Sequence, residues 1–215
     1  MKKTAVWDWN GTLLDDVHVC IESVNIMLKE RNLPVVSSLQ EYQDHFTFPV
    51  IDYYRKLGFD LEKEDFSILS KQYMALYHAR AVHCGLFEDA HSQIDRLRQQ
   101  GIRSVILSAS RQDHLQLQTD QCHCTGWFDD LIGISDIYAR EKLSAARVWI
   151  TRQDPDQSYV MIGDSLHDHE VAEDLGWDCI LIPRGHQSRS VLSQAGCPVV
   201  ENIQEAADLI LKQNQ

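Results

Sequence analysis

Short, almost unbroken apolar runs recur along the chain at Ala5–Trp9, Ser104–Leu107, Leu131–Ile134, Tyr159–Ile162 and Cys179–Ile182, each bounded by Asp, Ser or Gly. Runs this brief and this free of polar alternation predict strands covered on both faces, as in the middle of a parallel sheet. Amphipathic stretches lie between them: Ile94, Leu97 and Gly101 precede the second run, Leu143–Ile150 precedes the fourth, and His167–Leu175 follows it. Strand and helix alternation of this kind predicts an α/β fold with a doubly wound parallel sheet.

The rhythm changes between about Val17 and Val82. Val17, Ile21, Val24 and Leu28 fall on one helical face, Phe66, Leu69, Tyr73, Leu76 and Tyr77 fall on another, and no strand pattern separates them. The expected organisation is therefore a core made of 1–16 and 83–215, with 17–82 inserted as a helical cap. In open α/β sheets ligands bind outside the carboxyl ends of the strands, and an insertion after the first strand sits over that crevice.

Composition narrows the partners. A net charge of −12 disfavours a nucleic-acid backbone or an anionic membrane as a partner. No apolar stretch approaches the ~18 residues of a membrane span, and Asp8 arrives before a signal-peptide core develops, so the expected compartment is the cytoplasm. There the six cysteines are expected to be reduced. Cys122-His123-Cys124 is their only cluster; it lacks a second ligand pair at finger-like spacing and reads as a loop.

An acidic chain that binds phosphate has to recruit cations locally. The main strands end in Asp8, Ser108 and Asp164, and in a parallel sheet these converge. Asp8 and Asp164 could then share a Mg²⁺, which takes oxygen ligands and neutralises a phosphoryl group. Gly11 and Thr12 add a tight turn whose backbone N–H groups suit phosphate oxygens.

These residues carry a resemblance. Asp8-Trp9-Asn10-Gly11-Thr12-Leu13-Leu14-Asp15, Ser108 ending Ile106-Leu107, Lys142 lying 21 positions before Gly163, and Gly163-Asp164-Ser165 with Asp168 and Ala172 follow in order the four motifs of the haloacid dehalogenase superfamily. Specifically, the chain resembles its phosphoglycolate-phosphatase-like branch with a helical cap. The resemblance implies a Rossmann-like core and a two-step phosphohydrolase, in which Asp8 attacks phosphorus and water hydrolyses the aspartyl-phosphate. It implies Mg²⁺ held by Asp8, the backbone carbonyl of Asn10 and Asp164, with Asp168 acting through water or as support. It also implies phosphate binding by Gly11, Thr12, Ser108, Ala109 and Lys142, with Lys142 offsetting repulsion between anions. Arg140 is the substitute for Lys142, because the Pro that often follows the family's Lys is missing here. The substrate class is a small phosphorylated metabolite, with phosphoglycolate as the family-level example, and the expected state is a monomer or homodimer.

Asn10 departs from the pattern. The family's phosphatases have an Asp there that protonates the leaving alcohol, and an amide cannot exchange protons at useful pH. General acid–base catalysis contributes typically 10²–10⁴-fold. Three outcomes follow: a leaving group that needs no proton, such as an acyl phosphate, anhydride or aryl phosphate; a donor borrowed from Asp15, Asp16 or His18; or a slow or non-catalytic phosphate-binding protein.

Simpler readings compete at several positions. Asn10-Gly11 could be a hairpin turn. Asp164-Ser165 could only cap a helix. Ser110 could take the part given to Ser108, and His167 and His169 read as exposed helix residues rather than metal ligands. Gly163-Asp164-Ser165-Leu166 also spells a serine-esterase signature, but no Asp-x-x-His pair follows Ser165 to supply the base such an enzyme needs.

Overall fold

The computed structural model describes residues 3–134 and 141–213. Five strands, β1 (Lys3–Trp7), β2 (Arg103–Arg111), β3 (Asp130–Ile134), β4 (Ser158–Gly163) and β5 (Asp178–Leu181), form one sheet in the order β3-β2-β1-β4-β5. Every pairing is parallel. The five strands fall on the five apolar runs. Successive side chains of β1 enter opposite faces, with Ala5 and Trp7 in one buried cluster and Val6 in another.

Helices cover both faces, which completes the doubly wound arrangement. On the Ala5/Trp7 side lie α5 (Ala90–Gln99), α6 (Gln112–Gln121) and α10 (Ile203–Lys212), packing through residues such as Ile94, Leu115 and Ile210. On the Val6 side lie α7 (Glu141–Ile150), α8 (Leu166–Leu175) and the short α9 (Arg189–Leu192), through Trp149, Val171 and Leu192.

The regular elements of the insertion are all helices: α1 (Val17–Glu30), α2 (Leu39–His45), α3 (Val50–Lys56) and α4 (Phe66–Ala81). Its buried apolar side chains, from Val17 to Ala81, form a cluster separate from the two that cover the sheet. No helix among the described residues is long and apolar enough to cross a membrane.

Two details of the sheet shape the crevice. The order of strands reverses between β1 and β4, so the residues just after each meet at the switch point where ligands bind in open α/β sheets. β2 runs on past Leu107 to Arg111, where the sequence reading stops the strand. Its pairing to β3 jumps from Leu107↔Ile132 to Arg111↔Ile134, so Ser108, Ala109 and Ser110 sit on an irregular, bulged stretch. Such bulges re-aim side chains beside active sites.

Candidate active site

Asp8 follows β1, and its N–H still donates to the Ile162 carbonyl of β4 at 2.8 Å. The chain then wraps on itself, the N–H groups of Leu13 and Leu14 donating to the Trp9 carbonyl at 3.0 and 2.9 Å. Gly11 makes the turn at φ +72°, and a Cβ there would lie 2.6 Å from Asp164 Oδ2. This loop is no hairpin; it brings the first acid against the second.

Asp164, at the end of β4, accepts from Thr12 Oγ1 at 3.1 Å on one oxygen and from the His186 N–H on the other. Asp168, in the first turn of α8, accepts from the N–H groups of Asp164 and Ser165 at 3.2 and 3.1 Å and from Ser165 Oγ at 2.7 Å. Capping is therefore real: Ser165 is the N-cap of α8 and shares a capping box with Asp168, while the Asp164 carboxylate is taken up by Thr12 and the His186 N–H instead. Lys142, on α7, donates from Nζ to Asp8 Oδ1 at 2.6 Å and to Asp168 Oδ1 at 2.5 Å. All four side chains are buried, Asp8 at 8% exposure and the others at 2% or less.

Burying three carboxylates against one ammonium is costly unless further positive charge arrives. Burial, with help from Asp168, pushes the Asp8 carboxyl up to about 7 despite the pull of Lys142. Burial and the neighbouring Asp8 and Asp168 charges push Asp164 well above the carboxylate range. Burial acts the same way on Asp168, but the Lys142 ammonium and hydrogen bonds hold that carboxyl below its usual value. Burial lowers Lys142, and the Asp168 and Asp8 charges more than reverse it. The ligand oxygens of Asp8, Asp164 and Asp168 lie within 4.8 Å of one another. Three carboxylates and one ammonium leave two formal negative charges, the complement of a divalent cation held by oxygen.

Ser108 is buried, and its Oγ accepts the Ser110 N–H at 3.0 Å; Ala109 is half-buried between them. Arg140 lies outside the described residues.

The side chain of Asn10 is engaged with a different set of groups, none of them among the three acids. Its amide nitrogen donates to Asp16 Oδ2 at 2.7 Å and to the Tyr77 hydroxyl at 2.8 Å, and its Oδ1 accepts from Ser110 Oγ at 2.8 Å. Tyr77, on α4, donates to Asp16 Oδ2 at 2.6 Å, and the Gly11 N–H reaches Asp16 Oδ1 at 2.9 Å. Gln118 of α6 joins the network, donating to Tyr77 and accepting from the Trp9 indole at 3.0 Å. Trp9 is thus core, fully buried. Of the three residues considered as substitute donors, Asp15 and His18 are exposed, and Asp16 is buried against Asn10 with both oxygens accepting. Tyr77 and Gln118 carry no sequence signal that would have singled them out.

His167 and His169 are half-buried rather than exposed; the His167 ring packs on Phe48, with centroids 4.8 Å apart. Cys122, His123 and Cys124 form the turn after α6, where His123 has φ +53°. Ser165 Oγ donates to Asp168, and no histidine among the described residues is hydrogen-bonded to it.

Comparison with known proteins gives a consistent picture. The sequence model of the haloacid dehalogenase-like hydrolases matches residues 5–182. A protein of Caldanaerobacter subterraneus subsp. tengcongensis carrying the name pyrophosphatase PpaX is 24% identical over 182 residues, covering 82% of this chain and 80% of its own. A haloacid dehalogenase-like hydrolase of Streptococcus pneumoniae superposes with TM-score 0.82 at 17% identity, covering 100% of this chain and 99% of its own. A protein of Haemophilus somnus described as a predicted phosphoglycolate phosphatase does so with TM-score 0.77 at 18% identity, covering 100% and 98%.

Proposed function

The chain belongs to the haloacid dehalogenase-like hydrolases and is a phosphatase-type enzyme, and from that premise we propose that it is a Mg²⁺-dependent phosphohydrolase acting on a small phosphorylated metabolite whose leaving group needs no proton. The observation that carries this reading is the meeting of Asp8 and Asp164 at the ends of adjacent strands, with Lys142 bridging to Asp168.

Asp8 is the nucleophile. One carboxylate oxygen forms a bond to phosphorus as the bond to the leaving oxygen breaks, and water then attacks phosphorus to release phosphate and restore Asp8. Lys142 holds the Asp8 oxygen in place and lowers the repulsion between two anions. Thr12 and the His186 N–H orient Asp164. Asp8, Asp164 and the backbone carbonyl of Asn10 would hold Mg²⁺, with Asp168 in support. When bound, the ion neutralises phosphoryl charge. Gly11, Thr12, Ser108, Ala109 and Lys142 would surround the phosphoryl group.

The choice of leaving group follows from Asn10. An amide nitrogen has two hydrogens, and here both are donated inside the protein, to Asp16 and Tyr77. Position 10 therefore offers no proton to a departing alkoxide. Acyl phosphates, anhydrides and aryl phosphates leave as stable anions and lose little by this. The pyrophosphatase name of the Caldanaerobacter relative agrees with an anhydride. We place the enzyme in the cytoplasm, as a monomer or homodimer, with no nucleic-acid or membrane partner.

The test is a substrate panel with and without Mg²⁺. Acetyl phosphate, pyrophosphate and p-nitrophenyl phosphate are expected to turn over at least 10²-fold faster than phosphoglycolate, the scale of a missing general acid. Asp8→Asn is expected to abolish turnover and the acid-stable phosphoenzyme trapped on rapid quenching. Equal rates across the panel would remove the leaving-group reading; phosphate binding without turnover of any substrate would leave a non-catalytic phosphate-binding protein.

A further inference from the structure

The loop after β5 carries one peptide group with two engagements. The carbonyl of Gly185 accepts from Gln43 Nε2 of α2 at 2.8 Å, and the N–H of the same peptide unit, on His186, donates to Asp164 Oδ2. A trans peptide is planar, with its C=O and N–H pointing in opposite directions. Gln43 therefore fixes the direction in which that N–H points. The two hydrogen bonds polarise one another through the shared amide.

Several observations show that this link is built. Gln43 is 5% exposed, unusual for a glutamine on a short helix, and its amide has a defined acceptor. A Cβ at Gly185 would lie 2.0 Å from Asp164 Oδ2, so the backbone approaches the carboxylate as only glycine permits. The His186 side chain is held from the same helix, its Nδ1 2.9 Å from the Tyr42 hydroxyl and its ring stacked on Phe46 with centroids 4.7 Å apart.

We infer that Gln43 is a positioning residue for the Asp164 carboxylate, acting from the helical insertion through the Gly185–His186 peptide. This rests on the proposed role of Asp164 as a cation ligand. One consequence follows from reciprocity of linked equilibria: if docking of α2 raises the affinity for a divalent cation, the cation strengthens docking of α2 by the same factor. The insertion thus tunes the metal site without contributing a ligand to it.

The test measures Mn²⁺ affinity of the intact protein by electron paramagnetic resonance, with no substrate present. Gln43→Ala is expected to weaken Mn²⁺ by about 5-fold or more, the lower end of site-to-site couplings. Gln43→Glu, which keeps the shape but faces the Gly185 carbonyl with an acceptor, is expected to weaken it at least as much. Tyr42→Phe deletes one hydroxyl and is expected to weaken it less. In the wild type, Mg²⁺ is expected to slow amide exchange across 39–45 by the factor that Gln43→Ala removes. Unchanged Mn²⁺ affinity in folded Gln43→Ala, or exchange in α2 indifferent to Mg²⁺ in the wild type, would overturn the inference while leaving the metal site intact. No Mn²⁺ binding by the wild type would instead overturn the role given to Asp164.

Discussion

At position 10 the amide sits 2.7 Å from a buried carboxylate, that of Asp16, and this contact constrains what the residue can become. Asn10→Asp would restore the family's usual side chain but would set two carboxyl groups against each other and remove two donors, leaving Asp16 and Tyr77 each short of a partner. The expected cost is about 1–3 kcal/mol of stability, read from urea unfolding. Asn10→Asp/Asp16→Asn re-forms an amide–carboxyl pair with the roles exchanged and is expected to recover most of that loss. A double-mutant cycle measures the coupling, and independent, additive costs would show that the pair is not a unit. The same double variant is expected to gain most on phosphoglycolate and least on acetyl phosphate.

At the scale of elements, the strands were legible because a strand buried on both faces has no option but continuous hydrophobicity, and the order of motifs then placed Asp8 and Asp164 beside each other. The path of β2 beyond Leu107 was not legible, because a bulge leaves Ser108, Ala109 and Ser110 without the regular pattern a strand would impose. Nor were the contacts of Asn10, Tyr77 and Gln43, which depend on where the insertion docks rather than on any local spacing. The helix α10 shows a signal that the apolar runs alone pass over. Asn202 caps it, accepting from the Glu205 N–H, and Ile203, Ala206, Ala207 and Ile210 share the face that packs toward Ile94 and Leu97 of α5. Ile210 is fully buried there, so Ile210→Ala is expected to cost about 2–5 kcal/mol. Urea unfolding checks this, with turnover of acetyl phosphate expected to persist in the folded fraction.

For the molecule as a whole, the Mg²⁺ role proposed for the buried acids ties folding to cation and pH together. A ligand that binds only the folded chain stabilises it by about 2.7 kcal/mol at a hundredfold excess over Kd, which for a protein of this size is about 5–10 °C in Tm. Mg²⁺ is expected to give that shift near pH 8, and Asp164→Asn to abolish it. The sign of the pH dependence follows from Asp8, raised from 3.8 to about 7 in the metal-free fold. Between those values the metal-free folded state holds a proton that the unfolded chain releases, so metal-free stability falls as pH rises through the window. The cation needs the carboxylates of Asp8 and Asp164, both raised by burial, so the Mg²⁺ shift is expected to grow as pH rises through this window. A shift independent of pH from 5 to 8 would show that the ion does not compete with this proton.

The insertion keeps its own apolar interior, from Val17 to Ala81, apart from the side chains that bury the sheet. A piece built that way is a natural unit of exchange. Exchanging it for another is expected to change substrate choice while the chemistry of the core persists, provided the incoming piece offers counterparts of Gln43 and Tyr77 where they meet the loops after β5 and β1.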